Sequence, residues 1–228
     1  MQNYKTIFFL FVINSVLLSS VPDEFLFTIR DPKTDRKKFR DTLESIGEYV
    51  ALDVLSVLPT KKISLQTVTG ESATHFLCDT TPVLITILRA GLPLHRGIQK
   101  VFPLSEVGFF AISRNEETLE SKIQYTSLPN LKDRYVILSD TMLATGGSIL
   151  NAIRVIQNYN PKKIFVVTAL GSRFGVDRVL QEYPDVIIFT AAIDPYVNDK
   201  GYIVPGLGDA GDRAYGEKYT TVEVTPLQ

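Results

Sequence analysis

The sequence predicts an α/β fold built on a mainly parallel, doubly wound sheet flanked by helices. Four continuous apolar runs carry most of that prediction: "PVLITIL" (82–88), "YVILS" (135–139), "KIFVVTAL" (163–170) and "VIIFTAAI" (186–193). Runs of this kind suit strands buried on both faces of a parallel sheet. Between them lie segments with helical apolar spacing, at 93–101, 148–159 and 175–182, the last ended by Pro184. A longer amphipathic helix is expected over 34–57, where Phe39, Leu43, Ile46, Val50 and Val54 recur at three- and four-residue steps. Strand alternating with helix points to the doubly wound class. Ligands in such folds bind at the carboxyl ends of the strands, so the loops after residues 88, 139, 170 and 193 are the places to search.

The chain of 228 residues is read as a single domain, 1–228, long enough to bury its core without disulfides or metal staples. Its one cysteine, Cys78, can form no internal bridge, which fits a reducing, cytoplasmic setting. Lys and Arg total 24 against 25 for Asp and Glu, a formal charge of −1, and no long basic stretch suggests nucleic-acid binding. Residues 1–20 place one lysine before an apolar run that resembles a secretory signal. The run is short for a membrane span, contains Asn14 and is followed by no small-x-small cleavage site. Residues 1–22 are therefore read as an apolar segment packed on the core or on a partner subunit, with no membrane association, and a cleaved signal or anchor over 1–20 stays open as the alternative.

The stretch "VILSDTMLATGGSILNAI" (136–153) runs from a buried strand into an acid, a hydroxyl- and glycine-rich turn, and a helix. Helix N-termini leave backbone N–H groups unpaired and carry the positive end of the helix dipole. Gly146 and Gly147 permit close approach of a ligand, while Thr145 and Ser148 add hydroxyls, so the turn can cradle a phosphate. A P-loop is excluded, because its glycine spacing and its lysine are missing. Asp140, acceptor-only when ionised, suits two sugar hydroxyls beside a 5′-phosphate held by the next turn. An ordinary capped strand-to-helix turn explains Ser148 but not the two glycines and the acid together.

"VILSDTMLATGGS" resembles the phosphoribosyl pyrophosphate (PRPP) motif of the type I phosphoribosyltransferases, in the form particular to uracil phosphoribosyltransferases. "ILRAGLP" (87–93) resembles that family's pyrophosphate loop, "SRNEETLE" (113–120) its arginine before a mobile loop, and "TAAIDPYVNDKGYIVPGLGDAGDRAYG" (190–216) its uracil-binding tail. "IRDPKTDRKKFR" (29–40) is similar to its N-terminal segment, so the likeness runs from about residue 25 to about 219. The resemblance implies a type I phosphoribosyltransferase-like fold with a small base-binding hood formed by N- and C-terminal segments, chiefly 203–216. It implies conversion of uracil and PRPP to UMP and pyrophosphate, in pyrimidine salvage.

An arginine fork at a strand end, followed by Ala90-Gly91, makes Arg89 well shaped for bidentate binding of a diphosphate. By resemblance Arg114 is a second pyrophosphate ligand and residues 115–128 form a flap. Ser121 stands there where proline is common, and Ser127 where lysine is common. The PRPP motif implies contacts from Asp140, Thr141, Met142, Leu143, Ala144, Thr145, Gly146, Gly147 and Ser148. Ile203, Gly208, Asp209 and Ala210 are implied to line the base, and Asp209 to reach a Mg²⁺-bound water on PRPP. Arg89, Asp140 and Asp209 are thus the catalytic candidates. The Mg²⁺ is expected on PRPP and water, with no direct protein ligand, in keeping with its preference for retaining waters. A homodimer or higher homo-oligomer is implied; GTP is kept as a candidate effector for which the residues carry no signal.

Other motifs are set aside. "GLGDAG" (206–211) has the spacing of a dinucleotide fingerprint, but "DRAYGEKY" is a poor helix opening and no acid follows at the required distance. His75 and Cys78 form a lone H-x-x-C, too little for zinc, and with His95 give a Cys-His nucleophile a thin basis. "GSRFG" (171–175) replaces the family's turn with Pro-Glu at its centre, with no chemical role apparent from sequence. Two other functions stay open: a transferase of the same fold for orotate or a purine, against which "YIVPGLGDAGD" argues, and an RNA-binding pyrimidine sensor, which calls for a basic face.

Overall fold

In a computed structural model, residues 12–13, 15–114 and 121–218 are described. Two short strands, β1 (Val12–Ile13) and β2 (Val16–Leu18), precede helix α1 (Asp23–Arg30). Helix α2 (Arg36–Val57) starts two residues later than its apolar period suggests, because the Asp35 carboxylate caps it by accepting the Lys38 N–H at 2.9 Å. An antiparallel hairpin follows, β3 (Thr60–Gln66) and β4 (Ser72–Cys78), and then β5 (Val83–Leu88) and α3 (Leu92–Val101). The middle of the chain forms β6 (Val107–Arg114), β7 (Ser121–Ser127), β8 (Tyr135–Ser139), β9 (Met142–Leu143) and α4 (Gly147–Gln157). The last third forms β10 (Lys163–Ser172), α5 (Arg173–Glu182), β11 (Ile187–Asp194), β12 (Tyr196–Val197), β13 (Ile203–Val204) and α6 (Ala210–Tyr215).

The main sheet runs β1-β2-β11-β10-β8-β5-β6-β7, with β9 beside β10. All pairings from β2 to β6 are parallel, and the two outermost, β1 with β2 and β6 with β7, are antiparallel. Alternation along the central strands divides the core. Leu84, Ile137, Phe165, Val167 and Phe189 face α2 and α3, which contribute Phe39, Leu43, Ile46, Leu94 and Ile98. Their neighbours Ile85, Val136, Leu138, Val166 and Ile188 face α4 and α5, which contribute Ile149, Ile153, Val176 and Val179.

Three expectations change. Residues 121–127, expected within a flap, form strand β7 paired to β6; residues 115–120 lie outside the described residues. The hairpin β3–β4 had no counterpart in the sequence reading. The poor helix opening after "GLGDAG" is nonetheless the short helix α6, started by Asp209, whose carboxylate accepts the Asp212 N–H at 2.8 Å. Of the apolar segment 1–22, residues 16–18 pair with β11, burying Val16 and Leu17; residues 1–11 and 14 lie outside the described residues.

Candidate active site

The strand order reverses between β5 and β8. From β5 the chain proceeds outward to β6, and from β8 it proceeds the opposite way to β10 and β11. Such a switch point leaves a crevice at the carboxyl ends of the two strands, the usual ligand site of open α/β sheets. Arg89 follows β5 and Asp140 follows β8, so the two residues singled out by motif flank this crevice.

The two loops are joined. Thr141 is fully buried and its hydroxyl donates to the Ala90 carbonyl at 2.6 Å. Gly91 is obligatory at this junction: a Cβ there would lie 2.4 Å from Thr86 Oγ1, 2.8 Å from the Ile87 carbonyl oxygen and 3.0 Å from that of Ser139. The Leu88–Arg89 peptide is cis. The Arg89 guanidinium turns towards the hood, with Nη2 3.2 Å from Asp212 Oδ1 and 3.3 Å from the Gly216 carbonyl oxygen. Both partners of this ion pair are more or less one-third exposed, so it is a weak tether that an incoming anion can replace.

Asp140 is half-buried, and its Oδ1 accepts the Thr141 N–H at 2.7 Å. Burial raises its carboxyl pKa to about 7; the Thr141 and Met142 N–H groups oppose that shift, and the nearby Asp209 charge adds to it. The Asp209 charge thus acts on Asp140 although 69 residues separate the two in sequence.

Gly146 holds φ +83°, the left-handed conformation that glycine adopts without strain, and turns the chain into α4, which begins at Gly147 and Ser148. The side chains of the PRPP stretch divide. Leu143 lies in the core, Met142 packs against it, and Thr141 is committed to Ala90. The Ala144 carbonyl accepts Ser172 Oγ at 2.6 Å, and that of Thr145 accepts Arg178 Nη1 at 2.9 Å. The turn 171–175, without a role in the sequence reading, therefore buttresses this loop. Ser172 also accepts the Gly175 N–H at 2.9 Å, capping α5.

The hood is held from both ends of the chain. Arg30 of α1 donates to both Asp194 carboxylate oxygens at 2.8 Å and to the Gly206 carbonyl at 2.9 Å, while Asp194 Oδ2 accepts the Gly206 N–H at 2.8 Å. Arg213 donates to the carbonyls of Ile29, Leu207 and Asp31 and stacks over Phe39, 4.3 Å from the ring centroid. Ile203 and Ala210 are buried, Gly208 is exposed with φ +81°, and Asp209 caps α6. A cleft of about 560 Å³ opens along the hood, lined by Arg30, Gly206, Gly208, Asp209, Asp212 and Arg213 among others. Contact between the start of α6 and the loop after β5 is close: a Cβ on Gly211 would lie 3.2 Å from Asp209 Oδ1 and 4.0 Å from both Ala90 and Arg89.

Arg114 ends β6, opposite Ser121 in the ladder; its side chain lies outside the described residues. No cluster of three or more His, Cys, Asp or Glu able to hold a metal occurs among the described residues. His75 is exposed on β4, Cys78 is a half-buried free thiol, and His95 is buried with neither ring nitrogen hydrogen-bonded.

Residues 23–217 match the family model described as uracil phosphoribosyltransferase. The chain belongs to the uracil phosphoribosyltransferase family. A relative of that name from Sulfurisphaera tokodaii is 39% identical over 213 residues, covering 88% of this chain and 98% of its own. Another, from Aquifex aeolicus, is 40% identical over 188 residues, 82% of this chain and 90% of its own. The solved structure of the AQ2163 protein from Aquifex aeolicus superposes with a TM-score of 0.82 at 36% identity, covering 90% of this chain and all of the other. The type I phosphoribosyltransferase-like architecture expected from the motifs is thus the fold of a uracil phosphoribosyltransferase family member. Among the described residues no helix is long and apolar enough to cross a membrane.

Proposed function

We propose that the chain transfers the phosphoribosyl group of PRPP to uracil, yielding UMP and pyrophosphate in pyrimidine salvage. The observation that carries this reading is the convergence of Arg89, Asp140 and the Asp209 hood turn at the switch point of the sheet. In the reaction the C1′–pyrophosphate bond breaks through an oxocarbenium-like state. Uracil N1 bonds to C1′ as the bond to pyrophosphate breaks, and its proton passes to water. Little covalent chemistry falls to the protein, so positioning and charge stabilisation account for catalysis.

Arg89 exchanges its weak tether to Asp212 for the leaving pyrophosphate, assisted by Arg114. The turn Thr145, Gly146, Gly147 and Ser148 holds the 5′-phosphate. Asp140 accepts hydrogen bonds from the ribose hydroxyls, a role that its acceptor-only ionised form suits best. The backbone of 203–210, around Ile203, Gly208, Asp209 and Ala210, selects the base.

Mg²⁺ fits this donor set as a cation carried by PRPP. Two carboxylates, Asp140 and Asp209, border the site, and Mg²⁺ is commonly held by one or two carboxylates with substrate phosphates and waters. When bound, the ion would neutralise pyrophosphate charge, and Asp209 is the residue that would hold its water.

The hairpin β3–β4 supports a homodimer or higher homo-oligomer. It exposes Leu65, Phe76 and Leu77 by about half or more, and a lone two-stranded hairpin is marginal in water. A cytoplasmic location agrees with the free Cys78 thiol, and GTP stays the effector to assay. The test is UMP formation from uracil, PRPP and Mg²⁺ by the parent and by Asp140→Asn. Activity in the parent with a loss of a hundredfold or more in the variant supports the reading; the factor is about that of one stabilising contact removed. A folded parent that binds PRPP yet makes no UMP refutes the uracil assignment and directs attention to other bases and RNA.

A further inference from the structure

Ser121 is absent from the ligand set that motif reasoning supplies, and it stands where the family commonly has proline. Its position follows from an irregularity in the β6–β7 ladder. Ala111 pairs with Tyr125, but Ile112 pairs with Ile123, so Gln124 is an extra residue on β7. A bulge of this kind exchanges the faces to which later side chains point. Beyond it Ile123 packs into the core beneath α4, and Ser121, two residues on, shares that face. Ser121 Oγ lies 3.1 Å from Ser148 Oγ at the first turn of α4. Asn151, one turn further along α4, fixes the same residue by donating Nδ2 to the Ser121 carbonyl at 2.6 Å. The fit extends to Gly147, where an added Cβ would meet Ser121 Oγ at 3.2 Å. In the ladder Ser121 pairs with Arg114.

One residue thus touches the turn assigned to the 5′-phosphate and is the strand partner of the arginine assigned to the pyrophosphate. Resting on that assignment, we infer that Ser121 is a further 5′-phosphate-positioning residue of this transferase. Its hydroxyl contacts that of Ser148. A phosphate dianion is a stronger acceptor than a neutral hydroxyl, so Ser148 turns its proton to the bound phosphate. Ser121 then donates to Ser148 Oγ and holds it in that orientation. Proline could form neither this contact nor the ladder N–H, so the device belongs to this chain's serine.

The experiment separates the two ends of PRPP. Ser121→Ala, Asn151→Ala and Thr145→Ala are compared with the parent for binding of ribose 5-phosphate, UMP and pyrophosphate by calorimetry, and for steady-state kinetics. Ser121→Ala is expected to weaken ribose 5-phosphate and UMP about five- to tenfold, the loss of one hydrogen bond in a charged network. Pyrophosphate binding stays within about twofold, and KM for PRPP rises while kcat is kept, as expected for removal of uniform binding. Asn151→Ala, which leaves the hydroxyl but frees the strand, gives the same pattern more weakly. Unchanged ribose 5-phosphate binding in Ser121→Ala, or equal weakening of both ligands, overturns the inference. If Thr145→Ala also leaves ribose 5-phosphate unaffected, the cradle assignment falls and takes this role with it. If Thr145→Ala weakens the ligand and Ser121→Ala does not, only the role of Ser121 is refuted.

Discussion

Replacing Asp140 by asparagine tests the electrostatics of the crevice apart from catalysis. Asparagine keeps an oxygen to accept the Thr141 N–H and removes the titrating proton. In the ligand-free fold the Asp140 pKa rises from 3.8 to about 7, so between those values the folded chain holds a proton that the unfolded chain has released. Stability then falls as pH rises through this window, by about 1.4 kcal/mol per pH unit. The full shift of about 3 units corresponds to about 4 kcal/mol, an upper bound because a half-buried carboxylate retains some water; about 2–4 kcal/mol is expected. Denaturant unfolding of parent and variant without ligand, from pH 4.5 to pH 8, isolates the effect. The variant should match the parent at the acid end and gain steadily to a plateau above pH 7, where its Tm is higher by roughly 5–15 °C. A stability difference independent of pH, or a variant less stable than the parent at pH 8, would refute the reasoning. Gained stability with lost activity marks a site held under strain for function.

Three further outcomes are expected. Arg89→Ala should raise KM for PRPP and weaken pyrophosphate inhibition by about tenfold or more, with unfolding free energy changed by under about 1 kcal/mol, because the Asp212 pair it breaks is partly exposed. Asp194→Ala strands the Arg30 guanidinium and the Gly206 N–H, and should cost about 3–5 kcal/mol in chemical unfolding while impairing uracil binding more than PRPP binding. His95, whose pKa burial lowers to about 4, charges in the unfolded chain below pH 6.5 but not in the fold, so parent stability drops as pH falls from 6.5 to 4. His95→Leu should remove that drop, stabilising by up to about 3 kcal/mol at pH 4.5 and by much less at pH 7.5, as read from denaturant curves.

The central sheet was legible because continuous apolar runs have few alternatives to a strand buried on both faces. The observed β5, β8, β10 and β11 depart from the expected ranges by no more than about two residues at either end. β6 carries an equally plain run in "VGFFAI". The hairpin β3–β4 offered no such signal: its residues are mostly exposed on both faces, so neither burial nor alternation marks them. Helix α6 escaped because it is short, contains a glycine and depends on the Asp209 cap rather than on apolar period. In the site, Arg89 and Asp140 could be read from local patterns at strand ends. The Arg30–Asp194 clamp and the Ser121–Ser148 contact could not, since they join residues 164 and 27 apart by tertiary geometry alone.

The pairing of β2 with β11 sets an order of events during synthesis. Val16, Leu17 and Leu18 are made about 170 residues before their partners Ile188, Phe189 and Thr190. Closing so long a loop is slow compared with forming local structure, so this strand docks late. Until then the free edge of β11 is a template for strands of other molecules. A truncated chain beginning after Ser20 would keep that edge open permanently, and its failure in a cell would be clumping rather than loss of chemistry. Residues 16–18 thus serve as a cap on the edge that β11 would otherwise expose.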